Sequence, residues 1–434
     1  MKQGSVSNFN IHEEIKKNRQ IKKFCLYGFL KNLKFFEPYL YIYLIQVVHL
    51  SLFQIGTLFS IRGIIIYLFE VPSGIFADQY GKKTELMICF IFYIASFFFF
   101  FLGGSYFIVA VAMVLFGLGE AFRSGTHKAM IYSYLEQKGW FKHKTFVYGR
   151  TRSFSLIGSS LSAFVAIFLM IKLPRIQSIF LFSIIPYILD FLLIWSYPDT
   201  LNEPVETTIS IKKFFSYSIK QLKNIFANRL LRKAVISSSL FDAIFKVLKD
   251  YVQPILKDII LVSGIYVVAS MEAATQLKII LGIIYGVIYI FSSWVSRNVY
   301  RLNLKFKSDK LMDISFDILG IIFFIMFFAV KIKIMFVIIL LYFFLYLLHD
   351  GRRPLVVDVF GDYMKKNERA TVLSIDSQLS SLFMIALAPL FGYIADRFSI
   401  ATLFFVIGLS ILILNRFLRG ETRERKKSMN LKKP

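Results

Sequence analysis

Cysteine is almost missing from this chain. The two that occur in 434 residues, Cys25 and Cys89, fall inside or beside apolar runs, which excludes a disulfide framework and a thiolate metal site and leaves core packing. Histidine is scarce too, and the five present show no metal-ligand spacing. No P-loop occurs, so direct use of ATP is not encoded and any driving force comes from elsewhere. Acidic residues are outnumbered, 27 Asp and Glu against 52 Lys and Arg, for a net charge of +25. Such a balance would suit nucleic acid, yet the bases sit in short segments between apolar runs of about 20 residues, the length that spans hydrocarbon. What abounds is apolar: 56% hydrophobic residues, 49 Phe, 23 Tyr and a mean hydropathy of +0.62 exceed the needs of a soluble core. The chain reads as a bilayer protein without cofactor, metal or nucleic-acid partner.

Apolar runs predict about twelve membrane spans: 24–48, 54–77, 86–102, 106–124, 153–171, 176–197, 234–256, 277–296, 313–330, 334–349, 371–394 and 400–417. Residues 1–23, with Glu13, Glu14 and several lysines but no apolar stretch or cleavage site, read as a cytoplasmic amphipathic arm. With that arm inside, Lys and Arg concentrate in the inside segments and are few in the outside loops, which places both termini in the cytoplasm. The expected organisation is an all-α membrane protein in two pseudo-symmetric six-helix bundles, 24–197 and 234–418, joined by a linker at 198–233 and ending in a basic tail at 419–434. Within the linker, apolar residues recur at helical spacing opposite lysines over 211–226, as in an interfacial helix on anionic lipid.

The halves echo each other. Lys31-Asn-Leu-Lys34-Phe-Phe-Glu37-Pro38 in span one matches Lys246-Val-Leu-Lys249-Asp-Tyr-Val-Gln253-Pro254 in span seven. Span four ends in Glu120-Ala-Phe-Arg123 and span ten in Asp350-Gly-Arg-Arg353, each an acid three residues before an arginine. Arg150 to Ser155 likewise matches Arg369 to Ser374. Parallel repeats of this kind mark one architecture of secondary transporters.

Between spans two and three lies Glu70-Val-Pro72-Ser-Gly74-Ile-Phe-Ala77-Asp78-Gln-Tyr-Gly81-Lys82-Lys83. It resembles the signature loop of the major facilitator superfamily, with a tight turn at Gly81 presenting a carboxylate and a basic pair where two bundles meet. Gly74 would permit close helix approach. The added Glu70 and Pro72 resemble a drug-efflux branch. The second-half equivalent around Arg297 and Arg301 lacks the Asp and Gly and is degenerate. The resemblance implies alternating access around a midplane site, and a cytoplasmic gate at Glu120, Arg123, Asp350 and Arg353, which local i, i+3 pairing would also explain.

Ionisable groups inside spans are costly and usually face a bundle interior or a water-filled cavity. Glu37 stands out, because a continuous helix from Phe24 at about 1.5 Å per residue carries it roughly 20 Å into the bilayer. It is a proton-coupling candidate together with Asp242 and Asp376, the alternative for Glu37 being an ion pair with Lys34. Asp242, Lys246, Lys249 and Asp250 fall on one helical face of span seven. With Lys31 and Lys34 they could line a cavity for an anionic group, joined by Arg62 and Gln253, or else snorkel. Asp313 and Asp317 in span nine read as structural. Phe35, Phe36, Tyr39, Tyr41 and Tyr43 are read as packing ahead of a planar binding surface.

The function expected is a secondary transporter in the plasma membrane, acting as a monomer and antiporting protons against export of a hydrophobic or amphipathic small molecule. Proton-coupled uptake of a small organic anion is the alternative, and a non-transporting scaffold or sensor the third reading. No enzymatic activity is expected.

Overall fold

Proline decides where the first helix of each half resumes after a break. In a computed structural model describing residues 11–202, 227, 229–264, 270–298, 308–363 and 369–430, α1 (Arg19–Lys31) stops short of Pro38, and α2 (Leu40–Gln46) follows a 3₁₀ turn at Glu37–Tyr39. In the second half α9 (Arg229–Leu248) stops before Pro254, which sits inside α10 (Val252–Lys257). Pro has no N–H and its ring crowds the carbonyl four residues back, Lys34 in one case and Asp250 in the other. Both of those residues lie in the non-helical breaks. The repeat read from sequence thus has a backbone counterpart, and span one is not the continuous helix on which the depth of Glu37 was reckoned.

The other helices are α3 (Leu52–Tyr80), α4 (Lys82–Leu102), α5 (Tyr106–Arg123), α6 (Thr126–Gln137), α7 (Lys144–Lys172), α8 (Ser178–Trp195), α11 (Ala273–Asn298), α12 (Ser308–Ile332), α13 (Met335–Tyr363), α14 (Arg369–Arg397) and α15 (Ile400–Asn430). Among the described residues there is no strand, and ten helical stretches are long and apolar enough to cross a membrane. With the two broken spans they make the expected twelve, six in each half of the chain. Large apolar side chains such as Phe107, Phe168, Trp195, Phe336 and Phe417 are exposed, as lipid-facing residues are. The expected interfacial helix at 211–226 lies outside the described residues.

The chain forms two compact units. The first comprises residues 1–40, 68–208 and 285–290, and the second 41–67, 209–284 and 291–434. In the first unit α4 packs on α5 and α8, while α1 packs on α7 and α8. Its interior is aromatic: Phe97 meets Tyr187 at 4.8 Å, and Phe36 meets Phe97 and Phe180 at 5.2 Å each. In the second unit α12 packs on α13 and α15, and α9 on α14. Of the expected aromatics, Phe36, Tyr39, Tyr41 and Tyr43 are buried and Phe35 is partly exposed.

The early part of α3 belongs to the second unit and packs on the late part of α14 through two glycines. A Cβ on Gly56 would meet the Ala388 carbonyl oxygen at 2.3 Å, and one on Gly392 the Leu52 carbonyl oxygen at 2.3 Å. Lipid removes most of the hydrophobic drive between helices, so such close backbone approach supplies the attraction. The Ser60 hydroxyl donates to the Ile385 carbonyl at 2.6 Å. Asp396 then accepts from the Leu52 and Phe53 N–H groups at 3.0 and 2.7 Å, capping the N-terminus of α3 from another helix.

Candidate functional site

The polar residues of α9 face α13 and α14 within the second unit. Helical spacing puts Lys246 one turn after Asp242, and the two form a 2.6 Å ion pair. Asp242 also accepts from the Ser380 hydroxyl at 2.7 Å and meets His349 Nε2 at 3.1 Å. The other ring nitrogen, His349 Nδ1, is 3.3 Å from an Asp350 carboxylate oxygen. A doubly protonated ring donates to both carboxylates, whereas a neutral ring can donate to only one. The imidazole lies flat on Phe245, with centroids 3.8 Å apart at 8°. Asp242 and Lys246 keep side-chain exposures of 33% and 39%, so this cluster is reachable by small molecules and water.

One turn away, Asp376 accepts from Ser238 and Ser239 at 3.0 and 2.8 Å without a cation in contact among the described residues. Below it Arg352 is buried. Its Nε donates to Ser315 Oγ at 3.0 Å, and its terminal nitrogens donate to the Ser237 carbonyl and hydroxyl at 3.1 and 2.8 Å. Phe241 covers the guanidinium at 4.3 Å. The second unit therefore gathers three carboxylates, a histidine, a lysine and an arginine on three helices. Such a group can bind and release protons and exchange charge partners without opening charges to lipid.

Other expected site residues have different settings. Lys249 and Asp250 lie past the end of α9 and pair with each other at 2.7 Å, so the four-residue stripe of span seven divides into two ion pairs. Gln253 is fully buried and its side-chain oxygen accepts from the Tyr41 N–H at 2.8 Å, a structural cap at the start of α2. Lys34 lies over the Phe116 ring at 5.4 Å and Arg62 over Phe59 at 4.9 Å. Glu37 opens the 3₁₀ turn, its N–H donating to the Lys34 carbonyl at 3.0 Å. Lys31 ends α1, where its carbonyl accepts from the Tyr187 hydroxyl at 2.9 Å. Asp313 and Asp317 are bound by Lys233, Arg419 and Asn415, in keeping with a structural role.

The signature loop folds as its composition requires. Gly81 has φ +92°, a left-handed region open to glycine, and a Cβ there would strike Asn202 at 2.3 Å. Asn202 Oδ1 accepts from the Lys83 and Thr84 N–H groups at 2.9 and 3.1 Å and so caps α4. Lys83 pairs with Asp199 at 2.8 Å, Lys82 approaches Ser133 at 3.4 Å, and Glu70 accepts from the Ser124 hydroxyl at 3.0 Å. Pro72 lies inside α3. Gly74 does not serve close packing here, because a Cβ on it would meet nothing within 4 Å. Glu120 and Arg123 pair locally at 3.6 Å, with the Tyr93 hydroxyl bridging them. Asp350 turns to His349, and the side chain of Arg353 lies outside what is described.

His349 and Arg352 are the members of this cluster that sequence reasoning missed. The signal for the first was a histidine adjoining an acid at the end of an apolar span, and for the second an arginine one residue nearer the membrane than the expected gate.

The family model described as Major Facilitator Superfamily matches residues 30–375. An uncharacterized MFS-type transporter of Bacillus subtilis (strain 168), YxaM, is 25% identical over 387 residues, covering 87% of this chain and 89% of that protein. The crystal structure of a point mutant of the nucleoside transporter NupG superposes with a TM-score of 0.78 at 13% identity, over 92% of this chain and 99% of that one. That of a D-xylose-proton symporter gives 0.70 at 13% identity, over 92% and 96%. These last two establish the fold alone. Together with the twelve spans and the signature loop, the family match means that this multi-pass membrane chain belongs to the major facilitator superfamily, and is a transporter, not an enzyme.

Proposed function

We infer that the chain is a proton-coupled secondary transporter that exports a hydrophobic or amphipathic small molecule by alternating access, with both termini cytoplasmic. The observation that carries the coupling is the Asp242 carboxylate, held at once by Lys246, Ser380 and His349 while still one-third exposed. A proton on Asp242 removes the charge that holds Lys246 and the imidazole. A substrate head group that donates hydrogen bonds or carries positive charge competes for the same carboxylate, so proton and substrate exclude each other there. That exclusion is the requirement for antiport. The efflux reading also draws on Glu70 and Pro72 in the signature loop.

A second reading, uptake of a small organic anion with a proton, is favoured by the exposure of Lys246, which protonation of Asp242 would release to bind a carboxylate. The lysine supply is smaller than sequence counting suggests, since Lys249 is held by Asp250. In everted vesicles carrying an imposed pH gradient, a panel of amphipathic dyes is expected to include one that dissipates the gradient through the parent and not through Asp242→Asn. His349→Gln is expected to lower the response at least tenfold. An unchanged response in D242N removes Asp242 from the mechanism, and dissipation by small carboxylates in place of dyes selects the uptake reading.

A further inference from the structure

The interior of the first unit contains polar groups that the proposed mechanism does not use. Asp190, on α8, is fully buried and both of its carboxylate oxygens lack a hydrogen-bond partner among the described residues. Glu85 on α4 is also fully buried, with the hydroxyls of Ser73 and Thr126 beside its carboxylate. Tyr27 Oη on α1, His127 Nε2 on α6 and Tyr197 Oη after α8 are buried atoms that, like those of Asp190, have no hydrogen-bond partner among the described residues. These groups share one aromatic shell. Tyr27 stacks on His127 at 3.6 Å, and Phe24 touches both His127 and Tyr197 edge-on at 5.5 and 5.4 Å.

Four such side chains, Asp190, Tyr27, His127 and Tyr197, do not orphan their polar atoms in one bundle interior without a common occupant. Buried polar clusters of this kind hold water. An aspartate without a single donor in contact is stable only as the neutral acid or beside water and a cation. The cation that Asp190 faces is Lys31 on α1, whose amine reaches no acceptor among the described residues. Around them stand Tyr27 on α1, Cys89 and Glu85 on α4, Arg123 on α5, Arg152 on α7, which faces Lys31, and Tyr187 and Tyr197 on and after Asp190's own helix. Arg123 is already engaged by Glu120 and Tyr93.

We propose that Asp190 is a proton-binding site in a hydrated pocket of the first unit, taking its proton from internal water and returning it there, separate from Asp242 in the second unit. Proton occupancy there sets whether Lys31 has a charged partner, which gives the first unit a titration of its own.

Infrared spectroscopy of the purified full-length protein in lipid reads a protonated carboxyl directly and needs no transported substrate. Raising the pH is expected to bleach a band that depends on Asp190. The band should move on transfer to D2O and on labelling aspartate carboxyls with carbon-13, and should stay in place when glutamate is labelled instead. Asp190→Asn is expected to lack it, while Asp376→Asn and Glu85→Gln keep it. Identical pH-difference spectra for the parent and D190N overturn the proposal, as does a band that follows Na⁺ against choline at constant pH, because that marks a metal cation at the carboxylate. Should D190N fail to fold, Asp190→Glu decides: a band displaced in frequency supports the proposal and an undisplaced one overturns it. Loss of the dye response in D242N leaves the Asp190-dependent band in place, so the two readings fail separately.

Discussion

Arg352 illustrates how one buried side chain can tie three helices together. Its guanidinium is buried with three hydrogen bonds to two serines and an aromatic cover, and has no carboxylate in contact among the described residues. Replacing it removes three hydrogen bonds of a buried cation, although Ser315 still donates to the Met312 carbonyl, so Arg352→Gln should cost about 2–4 kcal/mol. Thermal unfolding of the detergent-solubilised protein would register this as a lower midpoint, and an unchanged midpoint would mean that water replaces the side chain. Neither its burial nor its partners could be read from the sequence, because two adjacent arginines differ by about 100° around a helix and only packing decides which one turns inward. His349 is a similar case. A lone histidine signals nothing by itself, and it is the contact with Asp242, 107 positions away, that gives it a role.

At the scale of elements, turns and breaks were legible where glycine and proline impose them. Gly81 combines a left-handed φ with contact against Asn202, so Gly81→Ala should destabilise by about 1–2 kcal/mol. Asn202→Ala, which frees two N–H groups of α4, should cost about 1 kcal/mol. Both are checked by the same thermal unfolding, and G81A matching the parent would show that the turn can relax. The broken first helices were only half legible. Pro38 and Pro254 were quoted as part of a repeat, but a hydropathy window does not distinguish a continuous span from two short pieces with the same composition. Gly74 and Gly56 make the complementary point: both lie in the apolar run of span two, yet only Gly56 meets another backbone. A glycine's purpose depends on what faces it.

For the whole molecule, the packing of early α3 on late α14 is the feature with the most direct bearing on transport. Alternating access requires contacts between elements from the two halves of the chain to form and separate in turn. Gly56→Leu, which would drive a side chain into the Ala388 carbonyl, is expected to loosen this contact and cost about 1–3 kcal/mol. Cysteines at positions 63 and 385, where a Cβ on Gly63 would meet the Ile385 side chain at 2.9 Å, should cross-link readily and stop flux until reduced. Full flux in the cross-linked protein would show that this contact never opens.

The number of spans, their helical nature, the doubled organisation and the family resemblance were all present in the sequence, because lipid admits so few backbone solutions that length, hydropathy and charge distribution nearly dictate the outcome. Which charges meet was left to the tertiary structure. Asp242 finds His349 and Ser380 and Asp396 caps a helix more than 340 positions earlier, through contacts between residues far apart in the chain, while Asp190 has no hydrogen-bond partner among the described residues. Local composition controls what each segment can be, whereas pairing is set by the rotation and depth of neighbouring helices, quantities to which no single segment has access.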